Sequence, residues 1–129
     1  MIDHMGLNVA DLGVSRRFFE AALAPLGIGM VMEVTEEMTG GNGAHLGLGR
    51  DGNPFFWIGT GKAATSGCHV AFAAPDRAAV DRFHAAALAA GGTDNGAPGL
   101  RPHYHADYYG AFVLDPDGNN VEAVFHGPA

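Results

Sequence analysis

Three residues of this 129-residue chain have types and settings that suit chemistry: His4, His69 and Glu122. His4 and His69 each open a short alternating segment, and Glu122 is the lone carboxylate in the apolar run from Asn120 to Phe125. A carboxylate buried in an apolar strand is costly unless something pairs with it. Two neutral imidazoles and a carboxylate converging from separate strands would hold a divalent cation and leave coordination positions open for substrate oxygens. The cation would also compensate the charge of Glu122. No His-x-x-x-His motif is present, so the metal reading rests on the repeat that makes His4 and His69 equivalent.

The elements that must position these residues follow from pattern and punctuation. Residues 2–10 alternate as a strand, with Met5, Leu7 and Val9 on one face and His4, Gly6 and Asn8 on the other. Asp11 caps a helix running from Leu12 to about Ala24, which Pro25 and Gly27 end. Strands are expected at 30–35, 44–49 and 54–59, with the Asp51-Gly52 turn before the last of them. Residues 59–67 read as a linker.

The pattern then restarts. Residues 68–74 alternate, Pro75-Asp76 opens a helix over 77–90, and Gly91-Gly92 stops it. An offset of 65 carries His4 to His69, Asp11 to Asp76, Arg17 to Arg82 and Phe18 to Phe83. It also superposes Ala21, Ala22, Leu23 and Ala24 on Ala86, Ala87, Leu88 and Ala89, and Gly27 on Gly92. These identities in one register mark an internal repeat. The chain closes on a hairpin, residues 110–125, around Asp115-Pro116-Asp117-Gly118, whose residues supply turn chemistry.

The expected fold is therefore α+β: one domain over 1–129, made of two βαβββ modules at about 1–60 and 67–126. The small residues beside His4 and His69 (Gly6, Asn8, Ala71, Ala73) leave a hollow on the face away from the helices. The expectation is a curved, cup-shaped mixed sheet with helices outside.

Composition excludes several classes. Seven Lys and Arg against 14 Asp and Glu give a net charge of −7, and no basic cluster offsets it, so nucleic acid is not an expected partner. The single cysteine, Cys68, forms no internal disulfide and fits a reducing compartment. There is no signal-peptide pattern and no apolar run of spanning length, so a cytoplasmic protein without a membrane partner is expected.

Taken together, residues 2–4, Asp11 with its Phe-containing helix, residues 67–72 (Gly-Cys-His-Val-Ala-Phe) and the Asp-Pro-Asp-Gly ending with Glu122 resemble the vicinal oxygen chelate superfamily. Its members include glyoxalase I, extradiol dioxygenases, fosfomycin-resistance thiol transferases and bleomycin-resistance proteins. The resemblance covers about residues 1–126. It implies a metal-binding cup with His4, His69 and Glu122 as ligands, a divalent ion (Zn, Fe, Mn or Ni), a small oxygen-chelating substrate and a homodimer. It implies a lyase, isomerase, thiol transferase or dioxygenase in which the metal acts as a Lewis acid.

Glyoxalase I carries a second glutamate on the last strand of module one. Here that strand is Pro54-Phe55-Phe56-Trp57-Ile58-Gly59, without a carboxylate, which argues against a true glyoxalase I reaction. The repeat offset makes Trp57 the equivalent of Glu122, whereas aligning the Asp-Gly turns makes Phe56 so, and either ring is a candidate pocket residue. Residues 99–109 bring His103, Tyr104, His105, Tyr108 and Tyr109 beside the last hairpin, as a cavity wall with acid–base groups or as a packed aromatic loop. Tyr109, which leads into the strand, and His105 are the acid–base candidates beside Glu122. Tyr104, His103 and Arg101 are pocket candidates, Arg101 for an anionic group or as a solvated residue. His45 is a weaker alternative ligand; His84 and His126 read as surface residues. Two other functions stay open: a non-catalytic protein that sequesters a planar molecule, favoured by the Phe-Phe-Trp strand, and a remnant whose cup is filled by its own side chains.

Overall fold

A computed structural model describes all residues, 1–129. Module one runs β1 (Met5–Asn8), α1 (Leu12–Leu23), a 3-10 turn (Ala24–Leu26), β2 (Gly29–Val34), β3 (His45–Arg50) and β4 (Asn53–Gly59). Module two runs β5 (His69–Ala73), α2 (Arg77–Ala89), β6 (Thr93–Leu100), β7 (Tyr108–Leu114) and β8 (Asn120–His126). The strands form two four-stranded mixed sheets with matching orders, β1-β4-β3-β2 and β5-β8-β7-β6. In each, the first strand pairs parallel with the last and the remaining pairings are antiparallel.

The helices start where the Asp residues stand. The Asp11 carboxylate accepts the amide of Val14 and the Asp76 carboxylate that of Ala79, each satisfying a free first-turn N–H. Gly27 ends the first helical segment in the left-handed region, φ 77°. The buried stripes, Phe18, Phe19, Ala22 and Leu23 on α1 and Ala79, Val80, Phe83 and Ala87 on α2, recur at helical spacing. They cover the sheet faces that carry Leu7, Val9, Phe56 and Ile58 in one module and Val70, Phe72, Val121 and Ala123 in the other, and all belong to one core. Phe19, Phe56 and Phe72 cross the module boundary as a chain of rings 5.0 and 5.2 Å apart.

Strand β6 is the element that the periodicity does not announce. Its sequence, Thr-Asp-Asn-Gly-Ala-Pro-Gly-Leu, lacks alternation, and its pairing with β7 shifts register on both sides of Gly96. A glycine at φ 151° and a proline are tolerated there because β6 is an edge strand. The linker is fastened as well. Thr65 exchanges bonds with Asn8, its amide to the Asn8 carbonyl and its Oγ1 accepting from the Asn8 amide. Neither helix is long and apolar enough to cross a membrane.

Candidate functional site

The parallel pairing of β5 with β8 sets the first contact. Ala71 lies opposite Glu122 and His69 opposite Asn120, so both functional side chains leave the same face of the sheet, away from α2. The His69 ring Nε2 donates to Glu122 Oε1 at 2.8 Å. The second carboxylate oxygen, Oε2, accepts the Tyr108 hydroxyl. Glu122 is 1% exposed, whereas the His69 side chain is about half exposed, so the acid is held from inside and approached through the imidazole. Burial and then the neighbouring carboxylate raise the Tyr108 phenol above its ordinary pKa, keeping it a donor.

Asn119 anchors this pair. Its Oδ1 accepts the Cys68 amide and its Nδ2 donates to the Thr65 carbonyl, and it also bonds the buried Asp115 carboxylate. Asp115 Oδ1 further accepts the amides of Asp117 and Asn119. The turn of the last hairpin is thus tied to the residue before His69. Sequence reasoning assigned Asn119 no role; a buried side-chain amide inside Asp-Gly-Asn-Asn was the available signal.

Module one carries a different face. His4, Gly6, Val34, His45 and Trp57 line a hollow of about 310 Å³. The Gly6–Trp57 pairing matches Ala71–Glu122 under the repeat, so Trp57 stands where Glu122 does in module two. Phe56, the alternative candidate, is fully buried in the core. Glycines make room for the aromatic side chains. A Cβ on Gly47 would meet the Trp57 ring at 3.0 Å, and one on Gly59 would meet His45 Nδ1 at 2.0 Å. The Trp57 and His45 rings therefore lie across their glycine neighbours. His4 Nδ1 bonds Asp3 Oδ1 at 2.7 Å, which leaves Nε2 free as an acceptor.

The expected ligand trio is not assembled within the chain. His69 and Glu122 meet, His4 stands just before β1 of the other sheet, and no three potential ligands form a metal-holding group. A second hollow, also about 310 Å³, lies at the module boundary, lined by residues such as Met5, Phe55, Val70, Phe72 and Arg50, without His69 or Glu122.

Tyr109 departs from its expected inward placement. Its hydroxyl donates to Asp81 on α2 at 2.6 Å and its ring lies under Arg77, so it faces the helix. That hydrogen bond, then burial, raises its pKa. Alternation along β7 puts Tyr108, not Tyr109, on the face with Glu122. His105 is exposed, and its Nε2 lies 2.7 Å from His126 Nδ1 instead of on the carboxylate. His103 packs on exposed Tyr104, and Tyr104 packs edge-on to Tyr108. Arg101 donates to the Ala97 carbonyl at 2.7 Å and lies over Phe112, so its guanidinium is partly committed locally. His84 bonds Asp94, holding that carboxylate below its ordinary pKa with help from the Gly96 amide.

Comparison with known proteins gives the family and agrees with the fold. The model of the Glyoxalase/Bleomycin resistance protein/Dioxygenase superfamily matches residues 1–123. A glyoxalase/bleomycin resistance protein from Albidiferax ferrireducens T118 is 33% identical, with TM-score 0.74 over 97% of this chain and 98% of that one. Glyoxalase I from Zea mays shares the fold at 18% identity, TM-score 0.72, covering 99% of this chain, which spans only 45% of the maize protein. A glyoxalase/bleomycin resistance protein/dioxygenase family enzyme from Burkholderia phytofirmans PsJN shares it at 19% identity, TM-score 0.69, with 98% of each chain covered. No curated protein matches the chain.

Proposed function

Since the chain belongs to the glyoxalase/bleomycin resistance protein/dioxygenase superfamily, the vicinal oxygen chelate group, we propose that it is a metal-dependent enzyme acting on a small substrate with adjacent oxygens. One observation carries the reading: a carboxylate 1% exposed, with an imidazole nitrogen 2.8 Å from one of its oxygens. Bonds of about 2.1 Å to one ion set neighbouring ligand atoms about 3 Å apart, so His69 Nε2 and Glu122 Oε1 suit adjacent positions. The proton that His69 places on Glu122 is the one an ion would displace.

His4 supplies the third ligand in this proposal, from a second copy of the chain, because within one chain it stands just before β1 of the other sheet. Its Asp3 partner fixes the tautomer that leaves Nε2 available. When bound, the divalent ion (Zn, Fe, Mn or Ni) would supply Lewis-acid chemistry, polarising the substrate's oxygens. The protein's own residues do the rest. His69 and Glu122 orient the site, Tyr108 holds the carboxylate, and the Trp57 and His45 rings offer flat walls. Module one has Trp57 where the second acid of glyoxalase I would stand, so the reaction belongs with the lyase, thiol-transferase or dioxygenase members and not with glyoxalase I itself.

Metal analysis tests the proposal. Protein purified without affinity tag or chelator should carry near-stoichiometric divalent metal that His69→Ala removes. If neither protein holds metal after reconstitution with zinc, manganese, nickel or ferrous iron, the enzyme reading fails. The second reading then takes its place: a non-catalytic protein that stacks a planar molecule in the Trp57–His45 hollow. Quenching of Trp57, the only tryptophan, would report that binding.

A further inference from the structure

The strand register leaves Tyr108 with a long reach. Tyr108 pairs with His126, Gly110 with Val124 and Phe112 with Glu122, so the phenol stands two pairs away from the acid it bonds. Its ring spans the gap by lying along β7 over Gly110. A Cβ on Gly110 would come within 3.2 Å of Tyr108 Cε1 and 3.3 Å of Glu122 Oε2, tighter than ordinary contact. The glycine is what opens the path between them.

The ring is also gripped. Tyr104 meets it at 4.8 Å, His126 at 5.1 Å and His105 at 5.4 Å between centroids, all edge-on. His105 and His126 are themselves joined and stacked at 5.0 Å. Residues 104–108 and the end of β8 therefore form a clamp whose product is one hydrogen bond to Oε2. The two carboxylate oxygens are thus divided: Tyr108 holds Oε2, and Oε1 faces His69.

We propose that Tyr108 is a positioning residue that restricts Glu122 to a single oxygen, Oε1, toward a bound ion. The inference rests on the metal reading above and deepens it. A carboxylate free to rotate can offer both oxygens to an ion and fill two positions, whereas one fixed at Oε2 fills one. The position saved is one that a substrate with two adjacent oxygens needs.

Cobalt(II) serves as the probe, because its visible absorption weakens as coordination number rises. Wild-type protein, Tyr108→Phe, Gly110→Ala and Tyr109→Phe are each titrated with cobalt(II), with circular dichroism and melting curves of the metal-free proteins as the fold control. Tyr108→Phe keeps the ring and removes only the hydroxyl, so the fold should persist. Its cobalt bands should weaken and shift as Oε2 turns to the ion. Gly110→Ala, which crowds the path of the phenol, should change the spectrum in the same direction, and Tyr109→Phe, whose hydroxyl bonds Asp81 on the helix side, should match wild type. Loss of an outer hydrogen-bond partner should also change cobalt affinity, by about 10-fold or more. The spectrum decides: a Tyr108→Phe spectrum superimposable on wild type overturns the inference and leaves the metal reading standing. A wild-type protein that binds no cobalt overturns both.

Discussion

Two faces of this molecule descend from one repeated module and have diverged by exchanging large and small side chains. In module two the cross-strand pairs are Phe112–Glu122 and Gly110–Val124; the equivalent pairs in module one are Gly47–Trp57 and His45–Gly59. Each face therefore has a glycine over which the ring facing the acid position lies: Gly110 under Tyr108, Gly47 under Trp57. In module two the ring ends in a hydroxyl and meets an acid. In module one the ring takes the acid's place. The backbone is the same, so fold alone does not choose the chemistry; a few positions on the concave faces do. The first histidine of each module, His4 or His69, is common to both.

The largest effect expected is the one that tests whether the two faces work together across chains. His4→Ala and Glu122→Gln should each abolish metal binding. Refolding an equal mixture should restore about one quarter of the wild-type metal, since half the random dimers are mixed and each mixed dimer has one intact site of two. Recovery is read by elemental analysis of the dimer fraction. A mixture that stays empty while wild type binds metal would place all ligands within one chain.

The hairpins differ as the faces do. In module one the turn is made by backbone, Asp51 at φ 52° and Gly52 at φ 76°. In module two the backbone turn, with Gly118 at φ 85°, is reinforced by side chains, with Asn119 fully buried and Asp115 5% exposed. Asn119→Ala would orphan the Cys68 amide and part of Asp115, and should lower stability by about 2–3 kcal/mol, from several buried hydrogen bonds. Gly52→Ala should cost about 1 kcal/mol, the strain of a side chain in the left-handed region. Urea unfolding of the two variants compares them directly, and the reverse ranking would mean that the side-chain network is dispensable.

Much of this was legible in the chain. The offset of 65, the capping Asp residues and the glycine stops locate both modules, because they act through local backbone chemistry that needs no tertiary context. The separation of His4 from His69 was not legible, because a repeat shows equivalence and not where two sheets stand relative to each other. Strand β6 escaped because its hydrogen bonds come from an edge position beside β7, not from any apolar face of its own. The choice between Tyr108 and Tyr109 could have been made. The last hairpin pairs Leu114 with Asn120, and counting outward puts Phe112 opposite Glu122 and all even-numbered residues of β7 on its face. Favouring Tyr109 for its nearness to the strand overlooked that parity.

A smaller effect asks why module two keeps its acid. If Glu122 serves chemistry rather than folding, replacing the buried acid and its half-buried Tyr108 partner with apolar residues of similar size should not weaken the metal-free protein. Glu122→Met combined with Tyr108→Phe should be neutral or more stable by about 1 kcal/mol, the low end for such replacements because His69 keeps one side open to water. Metal binding should vanish in the same variant. Marked destabilisation, by contrast, would make the Glu122 cluster a structural element and weaken the contrast with the Trp57 face.

The smallest signal comes from phenols, and it reads module two alone because Tyr104, Tyr108 and Tyr109 are the chain's only tyrosines. Tyr108 and Tyr109 are both held above the ordinary value near 10, Tyr108 by burial and then Glu122, Tyr109 by its bond to Asp81 and then burial. A folded-state pKa raised above the unfolded one contributes stability that is fully present below about pH 10 and disappears as pH climbs through the folded value. Phenolate absorbance followed on raising the pH should therefore lag behind that of the unfolded chain. Tyr108→Phe and Tyr109→Phe should each remove one late-ionising group. The two differ in what else they move: the Tyr109 hydroxyl ties β7 to α2, so its loss should cost about 0.5–1 kcal/mol of stability and leave metal binding intact. The Tyr108 hydroxyl ends on Glu122, so its loss should register at the metal. If both variants moved only stability, the two neighbouring tyrosines would be equivalent packing groups, and alternation along β7 would carry no functional division.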